Sequence, residues 1–125
     1  MASADLTLAC ESCGRPAIHF HLRLGEPKNT GPLGRRDRLE RLGFMGTVTK
    51  FGAWKDLEEF FNAIARRDFE AALIADPDFV AFYCRLCAKV YCEQCWRYPH
   101  IVFDEGFYDC TYATCPAGHE QVIDD

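Results

Sequence analysis

Eight cysteines at short, regular spacings constrain this chain of 125 residues more than any other feature. They fall into four groups along the sequence: Cys10/Cys13, Cys84/Cys87, Cys92/Cys95, and Cys110/Cys115 with His119. A tetrahedral Zn²⁺ takes four thiolate or imidazole ligands, and one Cys-x-x-Cys turn supplies two of them. Four such groups therefore predict two structural Zn²⁺ ions per chain.

The spacing of the two middle pairs indicates how the groups combine. Only residues 88–91 separate Cys87 from Cys92. A short strand of that length spans roughly 13 Å, which is too far for both pairs to reach one ion without strain. We therefore expect the first and third pairs to share one zinc ion, and the second and fourth groups to share the other. This alternate arrangement is a cross-brace.

The fourth group leaves two ligand sets open. The run Cys115-Pro-Ala-Gly-His119 is typical of a zinc knuckle that ends in an imidazole, because proline and glycine favour the required turn. Cys110 competes with His119 for the last ligand position, and if His119 binds the ion, Cys110 is a free thiol that should react with a thiol reagent. His100 is a further candidate ligand, and so is the pair His19/His21, although these histidines also fit solvated positions.

Two other uses of the cysteines, disulfides and a redox couple, fit the sequence less well than zinc. The N-terminus, MASADLTLAC, has no positive charge before its apolar stretch, so we expect a cytoplasmic protein. Thiols stay reduced in that compartment, which favours metal binding over disulfides. A thioredoxin-like redox couple would account for one Cys-x-x-Cys pair, but not for four groups in one small chain.

The central cysteines resemble two zinc-binding families. The run Cys84-x2-Cys87-x4-Cys92-x2-Cys95, with an aromatic residue before its third thiol, is similar to the centre of FYVE domains. The run Cys92-x2-Cys95-x4-His100 is similar to the in-between-RING domains of ubiquitin ligases. The resemblance covers residues 82–100 and implies a treble-clef-like cross-brace.

The chain also departs from both families. FYVE domains bind phosphoinositides through a basic, histidine-rich stretch before this motif, but here the apolar run 79–83 occupies that place. RING-type modules keep their first ligands close to the others, whereas 70 residues separate Cys13 from Cys84. The resemblance therefore implies zinc geometry more than it implies lipid binding or ligase activity.

The rest of the sequence predicts a small α+β domain with short antiparallel strands. Alternating apolar residues over 6–24 indicate a strand, a turn at the first cysteine pair and a second strand. The glycine-rich run 25–53 predicts a loop with one short helix at 35–42, whose arginines 35, 36, 38 and 41 face solvent, and a strand around 47–51. Residues 1–125 are expected to form one zinc-binding domain, with 25–78 as a loop-plus-helix insertion.

Helical periodicity is strongest after residue 53. Trp54, Leu57, Phe60, Phe61 and Ile64 recur at helical spacing, and the pattern resumes at Phe69 after Arg66-Arg67-Asp68. Asp76-Pro77 ends it. One long helix or two consecutive helices fit equally well, and the aromatic stripe is expected to be buried in the core.

Composition bounds the function. About half of the residues are apolar, enough for a core, and no apolar run approaches the length of a membrane span. The formal charge is −5, which argues against nucleic acid as a partner because phosphate contacts need clustered Lys and Arg. No ligand set leaves an open position for catalysis. The sequence favours a structural zinc protein that binds a protein partner, with a RING-like or in-between-RING-like ligase that docks a conjugating enzyme as the alternative, and it does not define an oligomeric state.

Overall fold

The computed structural model describes residues 3–25 and 37–125. This part of the chain is a small α+β fold in which antiparallel strands form three sheets. The two helices follow the first sheet in sequence and precede the other two. The strands and helices are β1 Ser3–Ala9, β2 Pro16–Arg23, β3 Arg38–Leu42, β4 Val48–Phe51, α1 Trp54–Ala65, α2 Phe69–Ala75, β5 Tyr83–Cys84, β6 Lys89–Val90, β7 Arg97–Asp104, β8 Phe107–Thr114 and β9 Glu120–Asp124.

The predicted N-terminal hairpin is confirmed. Strands β1 and β2 pair antiparallel, and the turn between them contains Cys10 and Cys13. Ile18, Phe20 and Leu22 are buried, as the alternating pattern predicts. The intervening histidines lie on the outer face, where His19 Nδ1 is 2.9 Å from the Thr7 hydroxyl oxygen.

The predicted helix at 35–42 is wrong over its described part. Residues Arg38–Leu42 form strand β3, which pairs with β2 on one side and with β4 on the other. Hydrogen bonding to two neighbouring strands outweighs the local helical spacing of Leu39 and Leu42. Strand β4 confirms the strand that the sequence predicts around 47–51.

The predicted solvated arginine face is also corrected. In β3, Leu39 and Arg41 alternate onto the inner face, and the Arg41 side chain is only 2% exposed. Arg38 is half-buried in the same strand. Arg35 and Arg36 lie outside the described residues. Because β3 and β4 complete the N-terminal sheet, the segment 25–78 contributes to the main fold as well as carrying the helices.

Two helices form, rather than one. Helix α1 ends at Ala65, and α2 begins at Phe69 with the Asp68 side chain accepting a hydrogen bond from the Ala71 backbone N–H. Arg67 between them has a positive φ of 62°, which no helix interior allows. The aromatic stripe is buried as predicted: Phe60, Phe61 and Phe69 all belong to the core.

The apolar run 79–83 is the centre of the core. The ring of Phe82 lies against rings from three other segments, with centroid distances of 5.8 Å to Phe20, 6.1 Å to Phe44 and 6.3 Å to Phe69. Tyr83 stacks on Phe69 at 4.5 Å. The run leads directly into Cys84, so the core fixes the position at which the second cysteine pair begins.

The C-terminal third contains two small sheets. Strands β5 and β6 form a short hairpin around Cys84 and Cys87, and β7, β8 and β9 form a three-stranded sheet in chain order. Among the described residues, no helix is both long enough and apolar enough to cross a membrane.

Candidate metal centres

The first cysteine pair meets the third. Cys10, Cys13, Cys92 and Cys95, here called site 1, place their sulfur atoms within 4.8 Å of one another. The Sγ–Sγ distance is 3.6 Å between Cys10 and Cys95, 3.6 Å between Cys13 and Cys92, and 3.5 Å between Cys92 and Cys95. Site 1 thus joins the N-terminal hairpin to residues that lie more than 75 positions later in the chain.

The second pair meets the fourth group. Cys84, Cys87, Cys115 and His119, here called site 2, also place their ligand atoms within 4.8 Å of one another. Imidazole Nδ1 of His119 is 3.6 Å from Sγ of Cys84, 3.2 Å from Sγ of Cys87 and 3.4 Å from Sγ of Cys115. Site 2 joins the β5–β6 hairpin to the turn between β8 and β9. The two sites show the alternate pairing that the spacing predicts.

Tight turns present the cysteines of each site. In the Cys10–Cys13 turn, the N–H of Gly14 donates to the carbonyl of Cys10, and in the Cys84–Cys87 turn, the N–H of Ala88 donates to the carbonyl of Cys84. Both turns end on a positive φ, 78° at Gly14 and 57° at Ala88. Glycine adopts this conformation at little cost, whereas alanine adopts it rarely.

Backbone N–H groups point at the sulfur atoms in these turns. Ser12 N lies 3.4 Å from Sγ of Cys10, Cys87 N lies 3.4 Å from Sγ of Cys84, and His119 N lies 3.4 Å from Sγ of Cys115. Such donors favour the thiolate form, which is the form that binds metal. The local backbone is therefore organised around anionic sulfur.

The donor sets fit tetrahedral metal ions. A tetrahedron with metal–sulfur bonds of about 2.3 Å has sulfur–sulfur edges of about 3.8 Å, and a sulfur–nitrogen edge is about 3.6 Å. The distances in both sites approach these values. A disulfide would need sulfur atoms about 2.0 Å apart, and all eight cysteines are free. Four soft donors per site suit Zn²⁺ better than Mg²⁺ or Ca²⁺, which prefer oxygen.

The thiol pKa values show that burial opposes ionisation of the cysteines, a cost that a bound cation would offset. Burial raises the pKa of Cys84 to about 11, and it also raises the pKa of Cys92 and Cys95. Burial opposes ionisation of Cys10 as well, but hydrogen bonds from the backbone N–H groups of Cys13, Cys92 and Ser12 outweigh it and lower that pKa to about 6. The pKa of Cys115 falls to about 7, since N–H donors, first that of His119, outweigh burial.

These shifts point in opposite directions within each site. In each site a thiol whose pKa is lowered by N–H donors lies beside a buried thiol whose pKa is raised, because burial without a nearby cation disfavours the thiolate. A bound divalent ion supplies the missing positive charge and allows all the cysteines of a site to ionise.

Glu11 connects site 1 to the strand between the sites. Its carboxylate Oε2 accepts hydrogen bonds from the Val90 N–H at 2.7 Å and from the Arg67 guanidinium at 2.9 Å. Its own N–H donates to the Val90 carbonyl at 2.8 Å. Val90 lies between Cys87 of site 2 and Cys92 of site 1, so Glu11 fixes the turn of one site against the hairpin of the other.

Replacing Glu11 with alanine is expected to destabilise the folded protein by about 1–3 kcal/mol, because the N–H of the buried Val90 loses its acceptor. Glu11→Gln keeps an acceptor oxygen and removes only the partly exposed ion pair with Arg67, so it should cost below about 1 kcal/mol. Urea unfolding at saturating zinc measures both. Equal losses in the two variants would show that the hydrogen bond to Val90 contributes nothing.

The remaining candidate ligands lie outside both sites. Cys110 belongs to β8, His100 to the exposed part of β7, and His19 and His21 to the outer face of β2. Sγ of Cys110 lies 3.9 Å from the carboxylate of Asp109. The structure thus brings His119, and not Cys110, to the fourth position of site 2.

Cys110 is now expected to resist thiol reagents in the folded protein, unlike the freely reactive thiol that the sequence suggested. Its side chain is 7% exposed, and burial, together with the charges of Asp109 and Asp125, raises its pKa. A buried, protonated thiol is a poor nucleophile. Mass spectrometry after brief iodoacetamide treatment should find Cys110 unmodified in the folded protein and modified in denaturant. Rapid labelling without denaturant would contradict this.

Three residues that support the metal sites could not be recognised from the sequence. Gln121 donates from Nε2 to the carbonyls of Ala81 and Tyr83, at 3.0 and 2.8 Å, and Trp96 donates from Nε1 to the Phe82 carbonyl at 3.2 Å. Glu11 is the third. Each of the three side chains forms hydrogen bonds with backbone groups next to a segment that carries metal-site residues. A single Gln, Trp or Glu does not belong to any sequence motif, so its role could not be predicted from the sequence.

These observations define a small α+β protein with two Cys/His groups that could hold metal ions. The family model described as "Domain of unknown function (DUF8328)" matches residues 2–125, and the chain belongs to this family. No curated protein and no solved structure matches the chain significantly. The comparisons recognise no FYVE or RING family, so the resemblance over residues 82–100 stays an expectation about zinc geometry.

Proposed function

We propose that this protein is a structural zinc protein whose two zinc ions form a cross-brace and hold a surface for a protein partner. The observation that carries the proposal is that each site contains four protein donors and draws them from segments far apart in the chain. A closed set of four donors is typical of structural zinc, whereas catalytic zinc keeps one position for water or substrate.

The positions of the sites support a role in folding. Site 1 ties the N-terminal sheet to the segment before β7, and site 2 ties the end of the central aromatic core to the β8–β9 turn. Closing loops of such length has an entropic cost that metal coordination can offset. The ions therefore fix the C-terminal sheet relative to the core.

Metal analysis of the purified protein tests the structural part of this proposal. Two zinc ions per chain are expected by native mass spectrometry, and removal of zinc by a chelator should abolish cooperative unfolding. A chain that keeps its fold and its unfolding transition after complete zinc removal would overturn the proposal.

The interaction part has its own test. The zinc-loaded chain, used as bait in an extract of its source cells, should retain a specific protein that a metal-stripped sample does not retain. Retention of nucleic acid instead of protein would contradict the assignment.

A second candidate function is docking of a ubiquitin-conjugating enzyme, and one observation favours it. Leu86, inside the Cys84–Cys87 turn of site 2, is 77% exposed. A RING-type mechanism needs such an apolar contact beside zinc and no nucleophile. Release of ubiquitin from a conjugating-enzyme thioester should then accelerate in the presence of the wild-type protein and not in the presence of Leu86→Ala. No acceleration with a panel of conjugating enzymes would exclude this function.

A further inference from the structure

The β7–β8 hairpin presents a concentration of apolar side chains to solvent. Among the described residues, nine large apolar side chains are exposed, and five of them lie between positions 98 and 108. These five are Tyr98, Ile101, Phe103, Phe107 and Tyr108. Exposed apolar groups scattered singly need no explanation, but a cluster of this kind is typical of a binding surface.

The cluster lies on a hairpin whose geometry is well defined. Phe103 is opposite Tyr108 in the ladder, so these two rings share one face of the hairpin. The Tyr108 hydroxyl is held by the Thr111 hydroxyl at 2.8 Å and by the carboxylate of Asp124 in β9. On that face Ile101 and Phe103 are 53% and 63% exposed, and Phe107, on the opposite face, is 77% exposed. The rings are therefore displayed by a hydrogen-bonded sheet.

Beyond Arg97, the exposed first residue of β7, the Asp, Glu, Lys and Arg side chains of the hairpin are all acidic. The chain after Arg97 contains no Lys or Arg, and it contains six acidic residues: Asp104, Glu105, Asp109, Glu120, Asp124 and Asp125. The first three lie in the hairpin itself, and all three are exposed. A partner segment with Lys or Arg beside apolar side chains is complementary to this surface.

The hairpin also has an open edge. Strand β7 is an outer strand of its sheet, and within residues 3–25 and 37–125 no strand pairs with its second edge. Exposed edges are usually blunted by lysine, proline or bulges. Pro99 and a bulge between Arg97 and His100 blunt the start of β7. The second register shift, between Val102 and Phe103, has its extra residue in β8, and His100–Asp104 contains neither lysine nor proline. An added strand can therefore pair with this part of β7.

We propose that the β7–β8 hairpin binds an extended, basic segment of a protein partner, which pairs with the free edge of β7 at His100–Asp104. Apolar side chains of that segment lie against Ile101 and Phe103, which share one face of β7, and its Lys or Arg side chains face Asp104, Glu105 and Asp109. This inference rests on the proposed function and names the surface that the zinc ions hold in place.

A second copy of this chain is a poorer occupant of the same edge. Pairing two β7 strands would bring two sets of the same acidic side chains together, and like charges across paired strands are destabilising. A basic segment removes that repulsion. Its binding should weaken as salt is raised, because partly exposed charges are screened.

Selection from a display library of random 12-residue peptides tests the proposal on the full zinc-loaded chain. We expect enriched peptides to carry net positive charge and apolar residues at alternate positions. Synthetic copies should bind Ile101→Ser/Phe103→Ser at least tenfold more weakly than wild type in fluorescence anisotropy. Asp104→Asn/Glu105→Gln/Asp109→Asn should also bind them more weakly and should lose most of the salt dependence.

Ile74→Ser is the matched control, because Ile74 is a large apolar side chain that is 86% exposed on α2 and does not belong to the hairpin. It should bind the enriched peptides as wild type does. Enriched peptides that are neutral or acidic, no enrichment over an unrelated protein, or equal binding to the Ile101→Ser/Phe103→Ser variant would overturn the proposal. So would a dimer in sedimentation that dissociates in that variant, since the occupant would then be a second copy.

Failure of the peptide experiment can be distinguished from failure of the proposed structural zinc function. Zinc content and unfolding are measured for every variant, and substitutions on the exposed hairpin should leave two zinc ions and a wild-type transition. If these hold while the peptides fail, the hairpin assignment is wrong and the structural zinc assignment stands. If the chain stays folded without zinc, the structural assignment is wrong whatever the peptides do.

Discussion

Replacing Cys10 with serine is expected to release one of two zinc ions and to unfold the chain. A structural zinc site contributes apparent binding free energy of about 10–16 kcal/mol at neutral pH. The whole free energy of unfolding of a domain is only about 5–15 kcal/mol. Loss of site 1 therefore exceeds what the core alone can compensate. Native mass spectrometry measures the zinc content, and circular dichroism on heating measures the loss of the cooperative transition.

Cys110→Ser provides the matched control for that experiment. Cys110 is also a buried cysteine, but it lies outside both sites. This variant should keep two zinc ions and a cooperative transition close to that of the wild type. Two zinc ions and an unchanged melting temperature in Cys10→Ser would refute site 1, and loss of an ion in Cys110→Ser would refute the ligand set of site 2.

Replacing Arg41 with alanine is expected to lower the free energy of unfolding by about 3 kcal/mol or more without changing the zinc content. The guanidinium donates to three main-chain carbonyls, those of Phe44 at 3.1 Å, Asp78 at 3.2 Å and Phe79 at 2.9 Å. Each buried acceptor left without a donor costs about 1–3 kcal/mol. Urea unfolding at saturating zinc measures the loss.

Two aromatic rings also help to hold the Arg41 side chain in place. Its guanidinium lies 5.4 Å from the ring centre of Phe44 and 5.6 Å from that of Phe79, so cation–π attraction adds to the main-chain contacts. Burial lowers its pKa, while the charges of Asp124 and Asp76 oppose that shift. The side chain thus anchors the segment that leads into site 2.

Two further substitutions make the Arg41 experiment specific. Arg41→Lys should recover only part of the stability, because one ammonium cannot reproduce the planar fork that reaches three carbonyls. Arg66→Ala should change stability by less than about 0.5 kcal/mol, since Arg66 is exposed and forms only a 3.4 Å ion pair with Asp68. An Arg41→Ala protein as stable as Arg66→Ala would show that the buried contacts are without consequence.

The candidate metal centres are the part of the structure that the sequence predicts best. Short loops between paired thiols leave few geometries, so the alternate combination of the pairs follows from the length of residues 88–91 alone. The choice between Cys110 and His119 is harder. It depends on the register of β8, in which Cys110 lies opposite Val102 within the sheet. Sequence spacing carries no information about that register.

The main fold is predicted less well, for a reason visible in β3. The run Arg38–Leu42 places leucines three residues apart, which fits a helix, and also places Leu39 and Arg41 two apart, which fits a strand. Only the presence of β2 and β4 on either side decides between them. The burial of Arg41 could not be predicted from the sequence either. The carbonyls that accept its hydrogen bonds belong to residues 44, 78 and 79, which only the fold brings together.

The exposed hairpin could not be predicted either. A run such as Tyr98–Tyr108, rich in aromatic and β-branched residues, indicates strands but not which faces are covered. Coverage depends on β7 being an outer strand, which is a property of the sheet order. The proposed role of the hairpin as a binding surface therefore depends on the assembled sheet and its charge.

The order in which site 1 receives its ligands has a consequence for synthesis on the ribosome. Cys10 and Cys13 emerge first, yet their partners Cys92 and Cys95 are translated about 80 residues later, which takes roughly 4–16 s at 5–20 residues per second. During that interval two thiols of the nascent polypeptide have no ion to share and are open to oxidants. On the proposed zinc assignment, insertion of an ion into a complete site 1 follows translation of residue 95, so timely delivery of zinc would be part of how this protein matures.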